Sequence, residues 1–518
     1  MVIRHALALF AFCVVAVAVD VGEPRAAADA RATVLTGARP AVVRAALVPR
    51  QSSSRQTLHE LADQAAATLL TQFYDGNGGW RECTDPTCGT ANRDWGVDSL
   101  TYTLYLRWKL TGDPTIRPLM AALAASSPAY PAPCQGLLGI MCTWSDAPNW
   151  DAVAEMREYE VSGGTDATAL VRAQAAFDTV EGSNIYALGA CPAIRYQQPF
   201  GYLDRLKTLE TEATAIKAAT LIYRYTQNAA YLNIARTRYA AVRKYFLDPV
   251  SPLYTVFVFD DGKNCVQDPH RYFASVNGEM ISAGIALAAE TKDVTYLAQA
   301  IGTAQAVDAN LADGNGVFAD LLADNDIVEP LVEAMYTLAV DEGQDFARGW
   351  LLRNAKAAVS SRKPDGTYGR FFNGPPPPGM STAWSTNGGL ALMIAASALA
   401  PNVLAQSGAW ESAASVSDLI FKLPTTLQFY GSGIALIGPL GDLAYQPGHA
   451  RVFVDGRETV NGIGIWQNSS SALRRIPGTV LFAWQWPAAG AHTITLYPGV
   501  FNLKEGFSYI HVTSHFVK

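Results

Sequence analysis

Between residues 58 and 400 one phrase recurs: an Ala-, Leu- and Tyr-rich helical stretch, a short polar turn, and a second amphipathic stretch. The turn reads Lys109-Leu110-Thr111-Gly112-Asp113, then Glu160-Val161-Ser162-Gly163-Gly164, Tyr225-Thr226-Gln227-Asn228, Glu290-Thr291-Lys292-Asp293 and, more weakly, Val340-Asp341-Glu342-Gly343. Turns starting at 111, 162, 226, 291 and 341 are separated by 51, 64, 65 and 50 residues. Such a period specifies stacked helical hairpins. An opening helix near 57–73 and a last one near 381–399 bring the count to twelve helices, or six hairpins. The links between hairpins are long, at about 74–93, 126–148, 181–206, 247–275, 312–325 and 362–380. In a closed antiparallel ring these links share one face, toward which the inner-helix N-termini and their positive dipole ends point. An open solenoid is the alternative, though its repeats are usually more regular in length.

After Pro401 the pattern changes to alternation. Strands are expected at 427–430, 434–437, 450–454, 479–486, 492–497 and 509–516, with turns at Gly431-Ser432-Gly433 and Asp455-Gly456. The expected fold is mainly α, an (α/α)6 barrel over 57–402, followed by a small β-sandwich over 403–518.

The first 30 residues read as a secretory signal peptide, with Arg4, an apolar run over 6–19 and small residues at Ala26, Ala27, Ala28 and Ala30. Fourteen apolar residues are too few for a membrane span, and residues 31–56 read as a spacer. An exported chain is oxidised, and six cysteines lie beyond the leader: Cys83, Cys88, Cys134, Cys142, Cys191 and Cys265. Proximity favours Cys83–Cys88 and Cys134–Cys142, which leaves Cys191–Cys265. A net charge of -7 argues against a nucleic-acid partner. No metal motif is present, so no metal or cofactor is expected.

Carboxylates gather near the starts of the inner helices: Asp94 and Asp98; Asp146 and Asp151; Asp204 and Glu210; Glu279; Asp324, Asp326 and Glu329. The sixth inner helix offers Ser381, Thr382 and Asn387 instead. A supply of acids on one face suits glycoside hydrolysis, in which one carboxyl attacks or activates water and another protonates the leaving oxygen. Asp94, Asp324 and Asp326 also suit helix N-caps.

The segment 145–154, Ser-Asp-Ala-Pro-Asn-Trp-Asp-Ala-Val-Ala, is the most specific. Together with Gly78-Gly79-Trp80, Asp94-Trp95, Thr111-Gly112-Asp113, the stretch 207–223 with Thr226 and Tyr231-Leu232, and Gly369-Arg370-Phe371-Phe372-Asn373-Gly374-Pro375, it resembles glycoside hydrolase family 76, the α-1,6-mannanase family. The resemblance implies an (α/α)6 barrel and a catalytic pair of adjacent aspartates opening the second inner helix. Asp146 falls on the first of these, the nucleophile position. The second is Ala147 here, and the family's second Trp is Asp151. The acid partner is therefore sought at Asp151, one helical turn from 147, or at Glu279 or Glu210. Asp94, Trp95, Trp144, Trp150, Glu210 and Asn277 are candidate substrate contacts.

The stretches 429–436, 452–456 and 490–494 resemble the galactose-binding-like sandwich appended to many sugar enzymes. The expected function is a secreted glycoside hydrolase acting on α-mannan or a related α-linked polysaccharide. The alternatives are a glycan-binding protein on a degenerate barrel, and a uronyl hydrolase or lyase on a similar barrel.

Overall fold

One hydrogen-bond device, used three times, builds the short turns. Thr111, Thr226 and Thr291 each donate their hydroxyl to the carbonyl four residues back, at Arg107, Ile222 and Leu287. Each then accepts the amide two residues on, from Asp113, Asn228 and Asp293. The residue between is left-handed: Gly112 at φ 64, Gln227 at φ 54 and Lys292 at φ 62. The Asp or Asn in turn caps the incoming segment, accepting from Thr115, Ala230 and Thr295. One helix is thus ended and the next begun within a few residues.

The computed structural model describes residues 56–77, 79–81, 83–85, 95–125, 144–183, 186, 188–198, 205–268, 272–319, 327–405, 410, 419–422, 425–440, 449–459, 465–466, 476–498 and 509–517. Twelve α-helices lie among them: α1 (Leu58–Phe73), α2 (Trp95–Thr111), α3 (Ile116–Ala125), α4 (Asp146–Val161), α5 (Ala167–Glu181), α6 (Leu209–Thr226), α7 (Ala229–Tyr245), α8 (Ala274–Thr291), α9 (Val294–Asn310), α10 (Glu329–Val340), α11 (Asp345–Ala358) and α12 (Ala383–Leu399). The chain is mainly helical. Each even-numbered helix packs on the next, and α12 returns to α2, while each odd-numbered helix covers its own hairpin partner. The even-numbered helices α4, α6, α8 and α10 are buried along nearly their whole length, whereas α5, α7 and α9 bury a single face. Short turns make each pair antiparallel, so the even helices run one way and their N-termini, fed by the long links, share one end. The leader, the spacer up to residue 55, and Cys88, Cys134 and Cys142 lie outside the described residues, whereas Gln56, expected in the spacer, belongs to a strand. No described helix is long and apolar enough to cross a membrane.

The long links have order of their own. Four begin with a small hairpin closed by a bridge, at Tyr74–Trp80, Leu247–Tyr254, Ala312–Phe318 and Arg362–Tyr368. Two links combine into a three-stranded antiparallel sheet of β2 (Leu206–Thr208), β3 (Phe257–Asp260) and β4 (Cys265–Gln267). Cys265 is joined to Cys191, with Cα atoms 5.7 Å apart. Cys83 is also disulfide-bonded, to a partner outside the described residues. The helical region is tied end to end by β1 (Gln56–Thr57), which pairs with β5 (Leu404–Ala405).

The C-terminal strands β6 (Leu419–Lys422), β7 (Thr425–Leu440), β8 (His449–Val454), β9 (Arg457–Glu458), β10 (Ile465–Trp466), β11 (Ile476–Pro498) and β12 (Tyr509–Val517) form one antiparallel network in the order β10-β8-β11-β7-β12-β6, with β9 on β8. Two sequence expectations are corrected here. Gly431-Ser432-Gly433 is not a turn but the interior of β7, and the expected strands at 479–486 and 492–497 are one strand, β11. The register shifts between Gln485 and Gly490, opposite these glycines. Glycine inside a strand marks such an irregularity as readily as a turn. Asp455-Gly456 is the expected hairpin turn, with φ of 49 and 78.

The sheet is mounted on the links before α10 and α12. Asn373 donates to Asp313 Oδ2 (2.7 Å) and to the Ala483 carbonyl (3.2 Å), and Gln485 donates to the Asn373 carbonyl (2.6 Å). Those links belong to the end at which the even helices begin.

Gly278 shows how tightly that ring is packed. A Cβ there would lie 2.4 Å from the backbone nitrogen of Leu331 on α10. Gly278→Ala is expected to lower stability by about 1–3 kcal/mol through overpacking, read as a lower urea midpoint. A midpoint equal to the parent's would contradict this close approach.

Candidate active site

The start of α4 is held by neighbouring backbone rather than by a side-chain cap. Ser145 donates its amide to the Gln197 carbonyl (2.8 Å) and its hydroxyl to the Tyr196 carbonyl (2.9 Å). Asn149 reaches back to the Ser145 carbonyl (3.1 Å) and across to that of Thr211 on α6 (2.9 Å). Pro148 is tolerated in the first turn, where no intrahelical donor is lost. The expected link 126–148 is therefore too long at its C-terminal end, because the helix already begins at Asp146.

Asp146 occupies the first helical position and is fully buried, and among the described residues neither carboxylate oxygen has a hydrogen-bond partner of good geometry. Burial pushes its pKa up to about 6, against partial opposition from the backbone N–H groups of Asp146 and Ala147. Tyr186, also buried, lies within the field of this carboxylate, which adds to burial in holding its phenol above the usual range. Ala147 is only half-buried, so the position that lacks a carboxylate is the more open one. Trp144, just before the helix, is 47% exposed, whereas Trp150 is buried edge-on against Tyr102 at 6.3 Å. Asp151 follows at 4% exposure.

The other candidates divide. Glu210 is buried at the second position of α6, at the same end as Asp146. Glu279 lies more than a turn inside α8, where it accepts from the Tyr102 hydroxyl and from Lys217 Nζ at 3.1 Å. Burial raises its pKa, Lys217 opposes this, and Glu333 adds to it. Asn277 is committed to the fold: it accepts the Tyr254 amide (2.9 Å) and donates to the Tyr254 and Phe273 carbonyls (3.1 and 2.8 Å). Asn387 is similarly committed, donating to the Ser99 carbonyl (2.8 Å) and accepting from Thr103 (2.6 Å). Thr382 caps α12, and Glu329 is buried at the start of α10. Trp95 opens α2; Asp94, Asp204, Asp324 and Asp326 lie outside the described residues.

A family model described as glycosyl hydrolase family 76 matches residues 57–372, more than half of the chain. The chain belongs to glycosyl hydrolase family 76. Its helical region is similar in fold to the α-1,6-mannanase of Salegentibacter sp., at 20% identity and a TM-score of 0.55, covering 66% of this chain and 99% of that one. An inactive variant of the Salegentibacter enzyme, with two consecutive aspartates replaced by alanine and in complex with α-1,6-mannotetrose, gives 19% identity, a TM-score of 0.55 and coverage of 66% and 100%. The α-mannanase of Bacteroides thetaiotaomicron gives 14%, 0.52, and coverage of 66% and 96%. No curated protein matches the chain.

Two features of this family 76 chain escaped sequence reasoning. One is Tyr186, which sits in a link without periodicity. The other is the charge network around Glu279: Arg157 pairs with Glu160 (2.6 Å) and Glu333, and Lys217 spans Glu279 and Glu333 (3.4 Å). Its signal was present, since Lys217 and Glu333 each interrupt an apolar helical run. A lone charge there is buried and must be paired.

The raised pKa of Asp146 has a stability consequence. Folded, the carboxyl keeps its proton up to about pH 6; its ordinary value is 3.8. Between those limits the folded state binds more protons, so stability falls as pH rises through them. Asp146→Asn is expected to be more stable than the parent at pH 7 by roughly 3 kcal/mol at most, with most of the gain lost by pH 4. Urea unfolding at both pH values measures it, and equal stabilities at pH 7 would refute the burial cost.

Proposed function

We propose that this chain is a secreted glycoside hydrolase acting on α-mannan or a related α-linked polysaccharide, with Asp146 and Asp151 as its working carboxyls. The helical region is taken as an (α/α)6 barrel and the C-terminal sheet as a galactose-binding-like sandwich, with residues 1–30 as the export signal. The observation that carries it is Asp146: a wholly buried carboxyl at an inner-helix N-terminus, with no well-formed hydrogen bond to either oxygen among the described residues. A carboxylate so poorly solvated gains most when positive charge develops beside it, as it does on an oxocarbenium-like sugar. Asp146 then acts as nucleophile or base. Asp151 is preferred to Glu279 as the acid because it lies on α4 with Asp146, one helical turn from position 147, whereas Glu279 lies more than a turn inside α8.

A second reading, a glycan-binding protein without turnover, is favoured by Ala147. Reducing-sugar release from a panel of α-mannans and other α-glycans separates the two. Turnover is expected in the parent and lost in Asp146→Ala and in Asp151→Asn. Ala147→Asp is expected to raise turnover about tenfold or more, because it returns a proton-transfer group to the family position. Glycan binding without any parental turnover would favour the second reading.

The pH dependence rests on the same carboxyl. Asp146 must be ionised to attack or to activate water, so kcat/KM is expected to rise as pH passes about 6. An acidic limb near pH 4 would assign that role to another group.

A further inference from the structure

A cleft lined by none of the proposed catalytic carboxyls lies between the outer helices α5 and α7 and the 188–195 segment, with a volume of about 310 Å³. Its frame is fixed. The Cys191–Cys265 disulfide staples the segment to β4. Asp260, ion-paired with buried Lys207 at 3.0 Å, accepts the amides of Ala190 and Cys191 at 3.1 Å each. Gly189, at φ 63, is required: a Cβ there would lie 2.4 Å from Asp260 Oδ2. Ala193, which lines the cleft, also has φ 63, a conformation unfavourable for a non-glycine residue that collects at ligand clamps.

The lining has no charge to spare. Arg238 is paired with Glu212 (2.5 Å) and Glu181, and Arg195 donates to the carbonyls of Glu181 (2.5 Å) and Ser183 (3.3 Å). Two guanidinium groups therefore face two carboxylates. Polar capacity remains nevertheless. Asn233 and Thr237, exposed one turn apart on α7, make no side-chain hydrogen bond among the described residues. Leu188 and Ile234 add apolar surface. Uncommitted donors and acceptors over a small apolar floor, with neutral overall charge, match a polyhydroxylated neutral ligand better than a phosphate or a uronate.

We infer that this cleft is an accessory binding site for a neutral hexosyl unit, separate from the catalytic carboxyls. The proposed function enters only in choosing the probes. Calorimetric titration of the Asp146→Asn protein with α-1,6-mannotetraose, maltotetraose and inorganic phosphate tests it, alongside the same protein carrying Asn233→Ala and Thr237→Ala. A tetrasaccharide-binding event weakened about tenfold or more by the two substitutions is expected, as two neutral hydrogen bonds imply. Tetrasaccharide titrations unchanged by the substitutions, or a cleft that takes up phosphate instead, would overturn it. Hydrolysis by the chain with Asp146 restored reads the catalytic proposal separately: turnover at the parental rate with no cleft-dependent binding defeats this inference alone.

Discussion

A chain of buried polar links runs through all six even-numbered helices, and the remaining architecture is arranged around it. Arg157 on α4 meets Glu333 on α10; Lys217 on α6 joins Glu333 to Glu279 on α8; and Tyr102 on α2 donates to Glu279. Asn387 on α12 extends the chain through Ser99 and Thr103 of α2. Desolvating these charges costs several kcal/mol per ion, and the links repay that cost only when every partner is in place. The network is therefore better understood as fixing which helix neighbours which than as a reserve of stability. Ala-rich helices present little shape to distinguish one neighbour from another, so the discrimination falls to these few polar side chains.

This requirement sorts the carboxylates by depth. A carboxylate more than a turn inside an inner helix has no water and no free helix end, so it needs a cation, as Glu279 has in Lys217. A carboxylate at the first helical position meets the unpaired N–H groups of the helix start instead. Asp146 uses that partial charge and nothing stronger, which leaves its protonation balanced near pH 6 rather than locked in either form. Position along the helix, more than residue type, separates the poised group from the structural ones.

Much of this was legible in the sequence. Six hairpins, their turns and the Asp455-Gly456 hairpin rest on local chemistry that a short window contains. A second repeat was equally available and went unread: Asp75-Gly76-Asn77-Gly78-Gly79-Trp80 and Asp313-Gly314-Asn315-Gly316-Val317-Phe318 are copies of one hairpin, with Asp365-Gly366-Thr367-Tyr368 a shorter form. In the two full copies the aspartate accepts the amides two and four residues on. What no window contains is pairing across helices. Glu279 reads as a general acid until Lys217, 62 residues away in sequence, is found beside it. Asn277 reads as a sugar contact until its amide is seen clamping Tyr254. The Gly-Ser-Gly of β7 reads as a turn because only its partner strand reveals the irregularity.

The second repeat also explains where the C-terminal sheet sits. Asp313, which shapes one copy through the amides of Asn315 and Val317, turns its other oxygen to Asn373 and to the Gln485 amide of β11. A Cβ on Gly314 would lie 2.7 Å from the Gln485 carbonyl, so strand and hairpin meet backbone to backbone. The residue that folds the link thus also holds the sheet, and the two cannot part without exposing a buried carboxyl that burial already strains toward protonation. Because that link feeds the start of α10, the sheet is fixed at the end of the helices that also presents Asp146. It is docked on the links before α10 and α12 backbone to backbone rather than hung on a tether.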